Sequence, residues 1–526
     1  MTRAHRFTGG PIFTGARYVE ALLVEDGIVR AAGAEPEVRR ASPVGTEHVE
    51  LHGHLVVPGL IDAHLHLPEL TQYREGLDVG EARSVVALGA LLRAWSSSHP
   101  TGPIVARGWT PDRMDDPRWI TARDLDAAVP DRPVVVEHAS GHMAILNRVA
   151  LDLAGLRAET PDPAGGRIGR DRDGSPNGPV FERAQRLVHP VVRGAFPPDP
   201  GGWVRTLRSA ARLGLTSVAT LNTGPEEVDA FRVLAAGHDL PLRVRAYVRL
   251  AQYAEFSPAR CAPVSGADRW RVIGAKAFVD GAFGPRTAWL SEPYSDAPGE
   301  QGLEVTAPGP LQEAVDWAVD AGLAPALHAI GDRAVERAAR YLAPLAGRDG
   351  PAPRIEHVGL VPPELFPVLD RSRPALVVQP GFVWSDHWLG ARLGAARARW
   401  AYPFRSLLER GHRLAGSSDA PYDPLDPWRG LAACVRRTDP EGRSANPAPE
   451  EALAPEEAFR LYGAHAGAVL GEVGLGTLEV GAPADLLRLS DRSLEGALRS
   501  GAAGVRETWV AGAPVPREDP ARPPRG

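Results

Sequence analysis

Among the 59 lysine and arginine side chains of this 526-residue chain there is a single lysine, Lys276. Asparagine occurs only at positions 147, 177, 222 and 446, and cysteine only twice. Cys261 and Cys434 lie far apart, which excludes a disulfide framework. No uncharged apolar run approaches the roughly 18 residues of a membrane span. The start, Met-Thr-Arg-Ala-His-Arg, leads into no apolar signal core. The formal charge is −6, so there is no basic excess for nucleic acid or anionic lipid. These absences lead to the expectation of a soluble cytoplasmic protein. They point to no nucleic-acid or membrane partner and leave a homo-oligomer open.

Apolar residues make up 44% and charged residues 24%, a globular composition with ample surface to bury. Arginine has taken nearly every generic cationic position. Lys276 is then either a leftover or a position that needs a primary amine. Arginine keeps its proton at any workable pH, whereas a desolvated lysine can lose it.

Both ends read as β-structure. Asp26-Gly27 between two apolar runs, Ala21 to Arg30, is a hairpin signal. Gly476 to Leu489 and Arg506 to Ala511 read as strands with tight turns. Between the ends, strand-like runs cover Leu55 to Ala63, Leu215 to Leu221, Leu242 to Val248 and Val272 to Val279. Four more cover Ala324 to Ala329, Arg354 to His357, Ala375 to Gln379 and Arg413 to Ser417. Helical spacing marks Leu311 to Leu323, and Asp332 is the expected cap of a helix over Arg333 to Ala343. The class is α/β. The expected fold is a distorted (β/α)₈ TIM barrel over 55–470. A composite sandwich from 1–54 and 471–526 flanks it, with a Pro-rich frayed tail from Pro514. Residues 68–205 are too long for one loop and read as an inserted subdomain after the first barrel strand.

The chemistry starts at Val56-Val-Pro-Gly-Leu-Ile-Asp-Ala-His-Leu-His66. Residues i and i+2 of a strand point the same way, so His64 and His66 can reach one metal ion. His52-Gly53-His54 has the same spacing but sits around a turn before the strand, and is read as structural or solvated. Lys276, His328, His357 and Asp419 fall at the ends of later strands. In a barrel those ends share one mouth. A neutral lysine amine can take up CO₂ to form a carbamate, an oxygen ligand able to bridge two divalent metals. That gives the sole lysine a function arginine cannot serve.

With these motifs the chain resembles the amidohydrolase superfamily, in its YtcJ-like branch (amidohydrolase family 3). The resemblance rests on Pro58 to His66, Lys276-Ala-Phe-Val-Asp-Gly281, His328-Ala-Ile-Gly-Asp-Arg-Ala334, Arg354-Ile-Glu-His357 and Gly416-Ser-Ser-Asp-Ala-Pro421. Ser140 to Asn147 and Gly476 to Leu487 match as well. It implies one or two divalent metals, most often Zn²⁺. His64 and His66 would hold the first, carbamylated Lys276 would bridge, and His328 and His357 would hold the second. Asp419 would ligate the first metal and move the proton. The family pattern Gln-Pro-(Ser/Thr)-His reads Gln379-Pro-Gly-Phe382 here.

The expected reaction is hydrolysis of an amide or N-acyl C–N bond by metal-activated water. The alternatives are a mononuclear deaminase of an amino-heterocycle and a non-catalytic scaffold. Trp109, His142, Glu182, Arg286, Asp386 and Trp388 are candidates to line the substrate pocket.

Overall fold

The computed structural model describes residues 4–188, 191 and 198–516. Residues 517–526 of the expected tail lie outside them.

Eight strands pair in chain order, every ladder parallel. They are Leu60–Leu65, Leu215–Thr223, Arg243–Arg249, Trp270–Phe278, Ala324–Ala329, Arg354–His357, Ala375–Val378 and Leu414–Gly416. No ladder joins the last strand to the first. Hydrogen bonds close that seam instead: Asp419 N to His64 O (2.8 Å), His66 N to Ala420 O (2.8 Å) and Ser418 N to Asp62 Oδ1 (3.1 Å). The result is the nearly closed α/β barrel that the strand spacing predicts.

Inside, small side chains such as Ala219, Ala326, Ala375 and Ala415 leave room for the Tyr247 ring, over which the Arg354 guanidinium lies at 3.9 Å. Outside, helices pack their apolar stripes on the strands. Pro308–Asp320 buries Leu311, Ala314, Val315 and Ala318 at the predicted spacing. Helix Asp332–Leu342 starts one residue earlier than expected, and Asp332 does not cap it. Its carboxylate instead accepts from the Ser291 amide (2.9 Å) and hydroxyl.

Two further expectations need correction. Leu55 to Ala63 is not one strand. Val56–Pro58 belongs to another sheet, and the chain enters the barrel only after Gly59. A Cβ at Gly59 would stand 2.3 Å from the Thr216 side chain, so the crossing needs glycine. In Gly476 to Leu489 only Leu486–Leu489 is strand, and the preceding residues form turns.

The ends of the chain meet. Leu486–Leu489 pairs antiparallel with Val56–Pro58, in a six-stranded sheet that also holds Ile12–Phe13 and Val505–Val510. The hairpin Ala21–Glu25/Ile28–Gly33 turns at Asp26 and Gly27, both at positive φ, and lies in a second, four-stranded sheet. Phe7, Leu22, Val56, Leu486 and Trp509 share one apolar cluster. A buried ion pair, Arg243 Nε to Asp485 Oδ2 at 2.8 Å, ties the third barrel strand to the C-terminal segment.

Between the first two barrel strands the chain builds a six-stranded sheet from Leu77–Asp78, Ile104–Trp109, Val134–His138, Met143–Leu146, Gly166–Arg170 and Pro176–Glu182. It buries an apolar cluster on each face, one around Leu92, Trp109 and Val136, the other around Val135, Leu146 and Leu151.

Candidate metal centre

All six predicted ligands stand at the C-terminal ends of barrel strands, and all are buried. His64 is on the first strand and His66 just beyond it. Lys276 and His328 point inward, because their neighbours Ala275, Ala277, Leu327 and Ala329 pack outward against the helices. The same alternation would turn His357 outward with Ile355. Instead the backbone leaves the strand at His357 (φ 75°) and Val358 (φ 51°), which brings the imidazole back over the mouth. Asp419 is also left-handed, at φ 59°. A β-branched residue and two ligand candidates at positive φ are outliers of the kind that collect at functional sites.

Asp419 Oδ1 lies 3.2 Å from both His64 Nε2 and His66 Nε2. His357 Nδ1 lies 3.9 Å from Asp419 Oδ2, and Lys276 Nζ 3.4 Å from His64 Nε2. The His328 and His357 rings are 4.4 Å apart. His64, His357 and Asp419 each offer a ligand atom within 4.8 Å of the others, so this group could hold a metal ion.

Hydrogen bonds set which nitrogen of His64, His328 and His357 faces the mouth. His64 Nδ1 is 2.6 Å from Glu356 Oε2, and His357 Nδ1 is 2.7 Å from Gln379 Oε1. His328 Nε2 is 3.0 Å from the Gly281 carbonyl. Each partner is an acceptor, so each contact takes the ring proton and leaves a lone pair on the other nitrogen. His64 Nε2 then faces Asp419 Oδ1, acceptor against acceptor. That oxygen is buried and, among the described residues, makes no hydrogen bond. A cation between them relieves the contact, and imidazole with carboxylate suits zinc.

Burial lowers His64 and His328 well below the usual histidine range and His357 to about 3, so all three stay neutral. For Asp419 burial acts upward, but His66, His357 and Lys276 outweigh it and hold the carboxyl below its usual range. Burial lowers the Lys276 amine to about 8 against the pull of Glu356 and Asp419.

Residues 47–516 match the profile of the amidohydrolase family. The chain belongs to that family. It is 32% identical to YtcJ of Bacillus subtilis (strain 168) over 92% of this chain and 93% of that one. It is 26% identical to an N-substituted formamide deformylase of Arthrobacter pascens, over 89% and 90% of the two chains. Among solved structures, an uncharacterized metal-dependent hydrolase from Pyrococcus horikoshii OT3 superposes with a TM-score of 0.77. Its identity is 28%, covering 96% of this chain and all of the other.

This amidohydrolase has a cavity of about 790 Å³ whose wall includes His66, Lys276, His328, His357 and Asp419. Of the six residues expected to line the pocket, His142 and Glu182 do so. Both come from the segment between the first two barrel strands. His142 Nδ1 is 2.9 Å from Glu182 Oε2, and its ring stands 4.8 Å from that of His328. Glu182 Oε1 accepts from Thr287 Oγ1 at 2.5 Å.

The other four lie off the wall. Trp109 is sealed in the six-stranded sheet's core beside Trp119 and His138. Arg286 pairs with Asp296 at 2.8 Å. Asp386 accepts from Tyr402 OH at 2.6 Å, and burial raises it to about 7. Trp388 lies under the Arg392 guanidinium at 5.2 Å. Large polar or aromatic side chains named from sequence alone carry no sign of which face they take. His52 is exposed, as expected of a turn, and His54 is half-buried.

Sequence reasoning missed the residues behind the candidate ligands. Glu356 orients His64 and lies 2.6 Å from Arg354 Nε, an ion pair sealed inside the barrel. Gln379 orients His357. Asp280 accepts the amides of Trp289, Ile330 and Gly331 (2.8–3.0 Å) and fixes the turn beside His328. A signal existed for the first pair: Arg354 and Glu356 are two apart on one short strand, so they share its inward face.

Proposed function

We propose that the protein is a metal-dependent hydrolase of an amide or N-acyl C–N bond in a small molecule. The observation that carries the reading is the buried, unbonded Asp419 oxygen between two imidazole nitrogens, at the end of a cavity of substrate size. His64, His66, His328, His357 and Asp419 would hold one or two divalent ions, with zinc the best match to the donors. A lowered lysine pKa leaves a share of Lys276 as free amine at neutral pH, which could add CO₂ with loss of a proton to give a carbamate, an oxygen donor for a divalent ion. When bound, the metal supplies Lewis acidity, polarising a carbonyl and lowering the pKa of water. Asp419, held ionised, takes the proton of the attacking water. It returns that proton to the nitrogen as the C–N bond breaks. The name of the formamide deformylase supports this bond type.

A mononuclear deaminase of an amino-heterocycle is the second reading. The tight His64–His357–Asp419 group favours it, since one ion would satisfy that group. In either case we read the two terminal sheets as one sandwich and the six-stranded sheet as an inserted subdomain. The shared Phe7–Trp509 cluster and the sheet's own two cores support this.

The test is elemental analysis of the purified full chain, with a screen of N-formyl and N-acyl amines against amino-heterocycles. Roughly one to two equivalents of zinc and chelator-sensitive amide hydrolysis are expected. Folded protein with far less than one equivalent, after growth in zinc, would overturn the reading. Ammonia release from heterocycles alone, with one equivalent, would move it to the deaminase.

A further inference from the structure

The metal centre concerns the bond that breaks, whereas the outer wall of the cavity concerns the rest of the substrate. Most charged groups on that wall are engaged. Arg107 lies 2.7 Å from Glu137 Oε2. Arg249 donates to Asn222 and to Gln252 Oε1. Glu227 accepts from the Gly224 amide, and Glu255 from Gln252. Arg186 differs. It is on the wall and exposed, and among the described residues it makes no hydrogen bond and no ion pair. The nearby charges acting on it are the like charges of Arg183 and Arg249. Arg183 also lines the cavity. It reaches Thr306 Oγ1 through Nη2 at 2.6 Å and buries Nε with no partner.

The placement is specific. Arg183 and Arg186 lie in the 3₁₀ turn Arg183–Leu187, directly after Glu182. Glu182 is anchored beside the candidate metal centre, because it accepts from Thr287 Oγ1 and holds His142, whose ring stands 4.8 Å from that of His328. At about 2 Å of rise per residue, the Arg186 backbone starts only about 8 Å from that anchor. The wall also carries Glu69, Glu226, Glu227 and Glu255, but the charges acting on Arg186 are those of Arg183 and Arg249, so the unmatched charge at that spot is positive. A planar carboxylate fits, since guanidinium binds it through two parallel hydrogen bonds.

We propose that the substrate carries a carboxylate on the side of the scissile bond facing this wall, and that Arg186 binds it with Arg183 and Arg249 beside it. The site would then take N-acyl amino acids or related amide acids. This rests on the C–N hydrolase reading for what happens at the metal centre, but the binding step does not.

The experiment therefore has a binding arm and a turnover arm, both on the zinc-loaded full chain. Binding uses levulinate, a ketone isostere of N-acetylglycine that cannot be hydrolysed, against its neutral alcohol analogue, by calorimetry. Turnover compares kcat/KM for N-acetylglycine and N-acetylglycinamide. The wild type should prefer each carboxylate by about 10- to 100-fold, and Arg186→Gln should remove most of that preference in both arms. Arg186 is exposed and unbonded, so the variant should fold and keep its zinc. No preference in the wild type, or one that survives Arg186→Gln within twofold, overturns the proposal. A levulinate preference lost in Arg186→Gln, with neither amide cleaved, supports the carboxylate site and sinks the hydrolase reading. Cleavage of the neutral amide without any levulinate preference does the reverse.

Discussion

The contact between His64 Nδ1 and Glu356 decides which imidazole nitrogen faces the mouth, so Glu356 would act on a bound metal without touching it. Replacing such a partner of a ligating histidine costs roughly 10- to 100-fold in metal affinity. Glu356→Gln keeps the shape and loses the charge. It should weaken zinc by that order in competition with a chelator, and unchanged affinity would show that the contact merely packs. Lys276→Arg retains charge but cannot accept CO₂. If the carbamate bridges two metals, kcat/KM should fall by at least about 100-fold, the scale of removing one electrostatic group from an active site. A fully active Lys276→Arg enzyme would mean that the amine is dispensable.

At the scale of elements, the loop Ala139–His142 is held down by a glycine. Gly141 has φ 70°, and a Cβ there would stand 2.2 Å from the Tyr422 ring. Tyr422 in turn packs edge-on against His66. Gly141→Ala should strain the backbone and push this loop off the barrel. The expected loss is about 1–3 kcal/mol of stability, read by denaturant unfolding. A loss near zero would mean that the loop moves freely. These elements also show what the sequence could and could not convey. Barrel strands were legible because short apolar runs ending in histidine, lysine or aspartate repeat in order along the chain. The passage from one sheet to another at Gly59 was not, because an apolar run reads the same on either side of it. That the candidate ligands would gather at one mouth was legible from residue type and position at strand ends. His357 reaches the mouth only through its left-handed backbone, which no periodicity encodes. The wall residues were the least legible, since Trp109 and Trp388 face apolar cores or a stacked arginine for reasons of tertiary packing alone.

At the scale of the whole molecule, acid should act through buried neutral histidines. Burial, then the Arg392 charge, lowers His138 to about 3, against about 6.5 in an unfolded chain. Its Nδ1 accepts from the Ser140 amide at 3.0 Å, so the ring is held neutral. Between these two values the unfolded chain binds the proton and the folded one does not. The stabilisation is thus complete above about pH 6.5 and is lost as pH falls toward 3. Urea unfolding at pH 7 and pH 5 should show lower stability at pH 5, and His138→Asn should reduce the difference between them. An identical difference in the variant would place the acid sensitivity elsewhere.

The sole lysine has a practical consequence at this same scale. Feeding cells lysine labelled with ¹⁵N at the side chain would give a protein with one labelled ammonium or carbamate nitrogen among 526 residues. Its resonance could be followed through metal loading without any assignment. ¹³C-bicarbonate would add a single adduct signal at the buried site, distinct from any at the α-amino group, and that signal would report its own occupancy in solution.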